Sequence, residues 1–142
     1  MSWYLNKNEE TIDKMEPLQI TTLVPVKMRR VYSLLVGAFE GGSGYWMEDW
    51  GISKLPEGYA KSDIEFAHAE VPLLPGGALW IEAEVLDVPE RLTLDIKACN
   101  RGLLLMATLY PRHWNDFITE GDDADTADVF LQLATMGDVV YG

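Results

Sequence analysis

The run from Ala78 to Leu86 constrains the fold most. Leu79, Ile81, Ala83 and Val85 alternate there with Trp80, Glu82 and Glu84, the period of a strand with one apolar and one polar face. A second strand is expected at Ile64 to Glu70, separated from the first by the turn signal Val71-Pro72-Leu73-Leu74-Pro75-Gly76-Gly77. A third is expected at Leu18 to Val24, where Ile20, Thr21, Thr22 and Val24 accumulate before Pro25 ends the run. The Gly- and aromatic-rich segment Gly41 to Gly58 reads as an ordered loop.

Elsewhere the apolar period is helical. Pro25 suits a first helical position, because its missing N–H is one of the unpaired donors there. From it, Met28, Val31, Leu35 and Ala38 recur at spacings of three and four, widened by Leu34 and Phe39 and ended by Gly41-Gly42. Residues 92–98 read two ways, since Leu92, Leu94, Ile96 and Ala98 also alternate as a strand would. A helix from Leu94 capped by Thr93 is preferred, because Leu94, Ala98, Leu105, Met106 and Leu109 continue at helical spacing toward Pro111. A short helix over Pro111 to Ile118 follows, then an acidic loop. A helix from Ala127 to Met136 comes next, with Val129, Phe130 and Leu133 inward, and then the apolar tail Val139-Val140-Tyr141. The expectation is a single α+β domain over residues 1–142, a small antiparallel sheet packed with about three to four helices. Residues 1–17 read as a peripheral N-terminal extension.

Charge and cysteine usage narrow the function classes. The chain carries 23 Asp and Glu against 11 Lys and Arg, a net charge of -12. This excludes a general binder of long nucleic acid, whose affinity rests on a basic surface. After Arg112 no Lys or Arg occurs, and Glu120, Asp122, Asp123, Asp125 and Asp128 concentrate the negative potential in the C-terminal third. The lone Cys99 makes neither a disulfide framework nor a thiolate zinc site, which points to a reducing compartment. The first 30 residues lack the layout of a secretory signal, and no apolar stretch approaches the ~18 residues that span a bilayer. A cytoplasmic protein with no membrane partner is expected.

Catalytic and metal motifs are weak. His68-Ala69-Glu70 matches half of a zinc deaminase signature but lacks the downstream cysteine pair. Asp122 to Asp128 lacks the order and the mid-loop Gly of a calcium loop, and its acids suit a helix start, where Asp125 or Thr126 can cap. Ser43, in Gly-Gly-Ser-Gly-Tyr, misses the nucleophile elbow by one position, and Gly41 to Gly44 lacks the Lys-Ser/Thr of a phosphate loop. No enzyme activity, cofactor or metal is expected.

Two features point to binding. Lys27, Arg29 and Arg30 crowd the start of the first helix, where the dipole disfavours cations by roughly 0.3–1 kcal/mol each. They either meet an anionic ligand or pair with the protein's own surplus acids. Tyr45-Trp46 and the island Tyr110-Pro111-Arg112-His113-Trp114 can stack a nucleobase and hold a phosphate, or can serve as core residues with a bonded polar tip.

These residues carry a resemblance. Phe39-Glu40-Gly41-Gly42-Ser43-Gly44-Tyr45-Trp46, then Leu105-Met106-Ala107 leading into Tyr110-Pro111-Arg112-His113, then Asp123 to Gln132 and the terminal Val139-Val140-Tyr141-Gly142 together resemble a group of small phage-encoded proteins. That group is similar to the first Thoeris anti-defence family, sponges that capture nucleotide immune signals. The matches lie in residues 28–50 and 93–142. The resemblance implies an α+β homodimer or higher oligomer that sequesters a small cyclic nucleotide without cleaving it. It implies Tyr45 and Trp46 for stacking, Arg112 and His113 for phosphate, and Asp128 and Gln132 for hydrogen bonds to sugar or base edges. Gly44 stands where the family pattern usually has Asn, which removes one polar contact. The competing expectation is an acidic interaction protein that masks a basic host protein, in the manner of a DNA mimic.

Overall fold

The computed structural model describes residues 8–142; of the expected N-terminal extension, residues 1–7 lie outside them. A short helix α1 (Glu9–Asp13), whose N-cap Asn8 accepts from the Glu10 N–H, buries no side chain. Helix α2 (Met28–Gly37) begins three residues after Pro25, without a side-chain cap, and buries Val31, Leu34 and Leu35. It widens into one π-helical turn over Ala38–Gly42, closed by the Ser43 N–H on the Ala38 carbonyl.

Three strands form one antiparallel sheet in the order β1-β2-β3: β1 (Asp49–Lys54), β2 (Ala78–Val85) and β3 (Val88–Leu94). The alternation of β2 is as expected: Leu79, Ile81 and Ala83 are buried. Trp80 and Glu82 face outward, where the Arg91 guanidinium lies 4.1 Å from the Trp80 ring and bonds Glu82 at 2.9 Å. Leu86 and Asp87, both at positive φ, make the tight β2–β3 turn, the backbone that two-residue hairpins favour.

The other two expected strands are absent. Residues 18–24 have no regular structure, and Leu18, Ile20 and Leu23 are 97%, 88% and 94% exposed; β propensity alone makes no strand when no ladder partner is at hand. Residues 64–70 instead enter helix α3 (Ala67–Glu70), flanked by 3-10 turns at Lys61–Asp63 and Val71–Leu73. The Glu70 carboxylate accepts the N–H groups of Glu65 and Phe66, which closes the turn locally. The third strand is β1, inside the segment read as a loop. Gly51 fits there because a Cβ would sit 2.7 Å from the Trp80 ring on β2.

Helix α4 (Ile96–Leu109) starts after β3 ends, and its cap is Asp95, which accepts the Ala98 N–H at 2.9 Å, rather than Thr93. The alternation of Leu92 and Leu94 therefore belongs to the strand. Helix α5 (Pro111–Ile118) is as expected. Helix α6 (Ala124–Met136) starts earlier than expected, capped by Asp123 through the Thr126 N–H, and ends on Gly137 in the left-handed region. Phe130, Leu131, Leu133 and Ala134 are fully buried, so α6 is the central helix of an α+β fold. Its neighbours approach closely. A Cβ on Gly42 would lie 2.4 Å from the Ala124 carbonyl oxygen, and one on Gly102 of α4 would lie 2.9 Å from the Ala134 Cβ.

Candidate functional site: an acidic cleft walled by aromatics

The tight approach of the π-helical turn to α6 delivers Ser43, Tyr45 and Trp46 to Asp128. This carboxylate is 8% exposed and accepts four hydrogen bonds. They come from Ser43 Oγ at 2.8 Å, Tyr45 Oη at 2.6 Å, Trp46 Nε1 at 2.7 Å and Gln132 Nε2 at 3.1 Å. Gln132 sits one turn on from Asp128, on the same face of α6. Its Oε1 accepts the N–H groups of Val140 and Tyr141, each at 2.8 Å, and its Nε2 also donates to the Tyr141 carbonyl. One amide thus pins the C-terminal tail in both directions. A buried carboxylate surrounded by donors meets its desolvation cost through these bonds.

The pinned tail places the Tyr141 ring flat on Trp46, centroids 5.7 Å apart and planes 5° apart, with Tyr45 edge-on to it. These aromatics form the wall of a cavity of about 540 Å³. Its other side is acidic: Glu48 precedes β1, Glu84 lies next to the end of β2 and Asp87 lies in the hairpin turn. Among the described residues no Lys or Arg lines it. The Tyr141 hydroxyl is pushed up in pKa by desolvation and then by Glu84, Glu48 and Asp87. The Tyr45 hydroxyl is pushed up to about 12, by desolvation first and then by its bond to Asp128 and that group's charge. The Tyr45 ring is 60% exposed, with its hydroxyl turned in to Asp128.

Of the residues expected to bind a ligand, Tyr45, Trp46, Asp128 and Gln132 come together, with the polar atoms of the last two engaged inside the protein. Arg112 and His113 go elsewhere. His113 Nδ1 lies 2.9 Å from Thr126 Oγ1. Thr126 and Asp128 are two residues apart on α6 and so project from nearly opposite faces. Neither Arg112 nor His113 lines the aromatic cavity; Arg112 is exposed and forms no ion pair among the described residues. Tyr141, Glu48, Glu84 and Asp87 were not identified from sequence. The tail Val139-Val140-Tyr141 was visible, but nothing in its spacing tied it to Trp46, and the acids meet only through strand pairing.

The basic cluster on α2 is accounted for in part. Arg30 bonds Asp122 at 2.6 Å and the Phe117 carbonyl, with its guanidinium over the Phe117 ring, so it clamps the acidic loop. Cys99 is buried, and burial followed by the charge of Asp95 pushes its thiol up to about 12. Among the described residues no three His, Cys, Asp or Glu side chains are grouped to hold a metal, and no helix is long and apolar enough to cross a membrane. No protein-family model, curated protein or solved structure matches the chain.

Proposed function

We propose that this chain is a non-catalytic binding protein whose acidic cleft takes a basic group of a partner protein, masking it. The observation that carries this reading is the lining of the cleft: Glu48, Glu84 and Asp87 line it together with Tyr45, Trp46 and Tyr141, with no cation among the described residues there. A guanidinium or ammonium gains there from both carboxylates and aromatic faces, and a phosphate is repelled. The engagement of Ser43 and Asp128 with each other supports the non-catalytic reading. Titration calorimetry with a short arginine-rich peptide tests the proposal. Saturable binding that weakens steeply with salt and falls about tenfold in the Glu48→Gln/Glu84→Gln/Asp87→Asn variant is expected; flat heats with the peptide overturn it.

A second reading is capture of a cyclic nucleotide, as the resemblance to the anti-defence sponges implies. It is favoured by the exposed Arg112, which forms no ion pair among the described residues and stands apart from the aromatic cavity. Titration with cyclic ADP-ribose isomers and cyclic oligonucleotides, followed by recovery of intact ligand after heating, selects this reading if heats appear there and vanish in Arg112→Ala.

A further inference from the structure

We infer that two copies of this chain pair through residues 18–24, which form between copies the strand that a single copy lacks. From Glu16 to Val26 no backbone N–H or carbonyl makes a hydrogen bond among the described residues. The segment nevertheless has the composition of a strand: Leu18, Ile20, Thr22 and Val24 fall on one face at period two. Those side chains are bare, Leu18 and Ile20 at 97% and 88% exposure and Val24 at 54%. An unpaired, β-branched edge of this kind is a template for another strand.

The surroundings favour a second copy as the occupant. Residues 20–24 form one side of a groove of about 1100 Å³ whose other side is α4, through Leu103, Leu104 and Ala107. Among the described residues no acid lines that groove and Lys97 is its one charged residue. In a chain of net charge -12, like copies repel, and a groove lined without acids adds none of that repulsion. Antiparallel pairing about Thr21 sets Leu18 against Val24 and Ile20 against Thr22, each pair on the same face. It also carries the exposed Asp13 and Glu16 of one copy toward the exposed Lys27 and Arg29 of the other. The contact is self-complementary, as a two-fold interface requires.

The experiment is a mass and cross-linking measurement on the full chain. Light scattering across a concentration series is expected to give twice 16.0 kDa for the wild type. Ile20→Lys/Val24→Lys is expected to halve that mass with an unchanged circular dichroism spectrum, and Leu55→Lys, at an exposed site elsewhere, to keep it. Pairing about Thr21 puts its two Cα atoms about 4.5–5.5 Å apart, within disulfide reach. Thr21→Cys in a Cys99→Ala background should therefore oxidise to a covalent dimer, and Leu55→Cys should not. A monomeric wild type at every concentration, or a dimer that survives the double lysine variant, overturns the inference.

Discussion

Asp128 shows how one side chain can set the geometry of a candidate site through hydrogen bonds inside the protein. Its oxygens collect donors from the turn after α2 and from the next turn of α6. Asp128→Asn puts an amide N–H where only donors converge, and a buried donor left unpaired costs about 1–3 kcal/mol. We expect a loss of about 2–3 kcal/mol in urea unfolding for Asp128→Asn, against near zero for the exposed Asp125→Asn. An equal effect at both positions would show that the hub contributes nothing. At this scale the sequence was partly legible. Asp128 and Gln132 at helical spacing, and Tyr45 beside Trp46, were visible as a set, but the sequence left open whether their polar atoms face outward to a ligand or inward to each other. The interior answer depends on the close approach of Gly42 to Ala124, a contact no local pattern announces.

Among the elements, those with strong periodicity were readable: α2, β2, α5 and the body of α6. The misreadings share a cause, because each turned on a partner distant in sequence or on a single capping group. β1 was hidden by Gly51, whose lack of a side chain makes sense only against Trp80. The boundary between β3 and α4 is set by Asp95, and the start of α6 by Asp123. Gly102 looked like a weak point within α4 and is the residue that lets α4 cross α6. Alanine there gains about 1 kcal/mol of helix propensity, but its Cβ would lie 2.9 Å from the Ala134 Cβ and 3.1 Å from the Ala134 Cα and N. Backbone atoms do not yield cheaply, so Gly102→Ala should lower stability by about 1–3 kcal/mol. Thermal unfolding measures this, and a raised Tm would mean the crossing is looser than described.

For the whole molecule, alkaline pH is the telling variable. Three groups titrate higher in the fold than in the open chain: Cys99, from 9.0 to about 12, Tyr45, from 10.0 to about 12, and Tyr141. Groups raised in this way contribute stability that is fully present below the unfolded pKa and is lost as pH climbs through the folded one. Stability should hold between pH 7 and 9, then fall through about pH 12. Denaturant unfolding along a pH series checks this, and Cys99→Ala together with Tyr45→Phe should flatten the fall. A slope unchanged by both substitutions would place its origin in general charge repulsion.

The Gln132 clamp has a temporal consequence. Val140 and Tyr141 leave the ribosome after every other residue of the cleft, and the ring that completes the aromatic wall is held in place by their own N–H groups. A nascent chain can therefore assemble the sheet and the central helix while the cleft is still open on one side. The aromatic wall is therefore the part of the cleft that forms last, on a sheet and central helix that precede it in the chain.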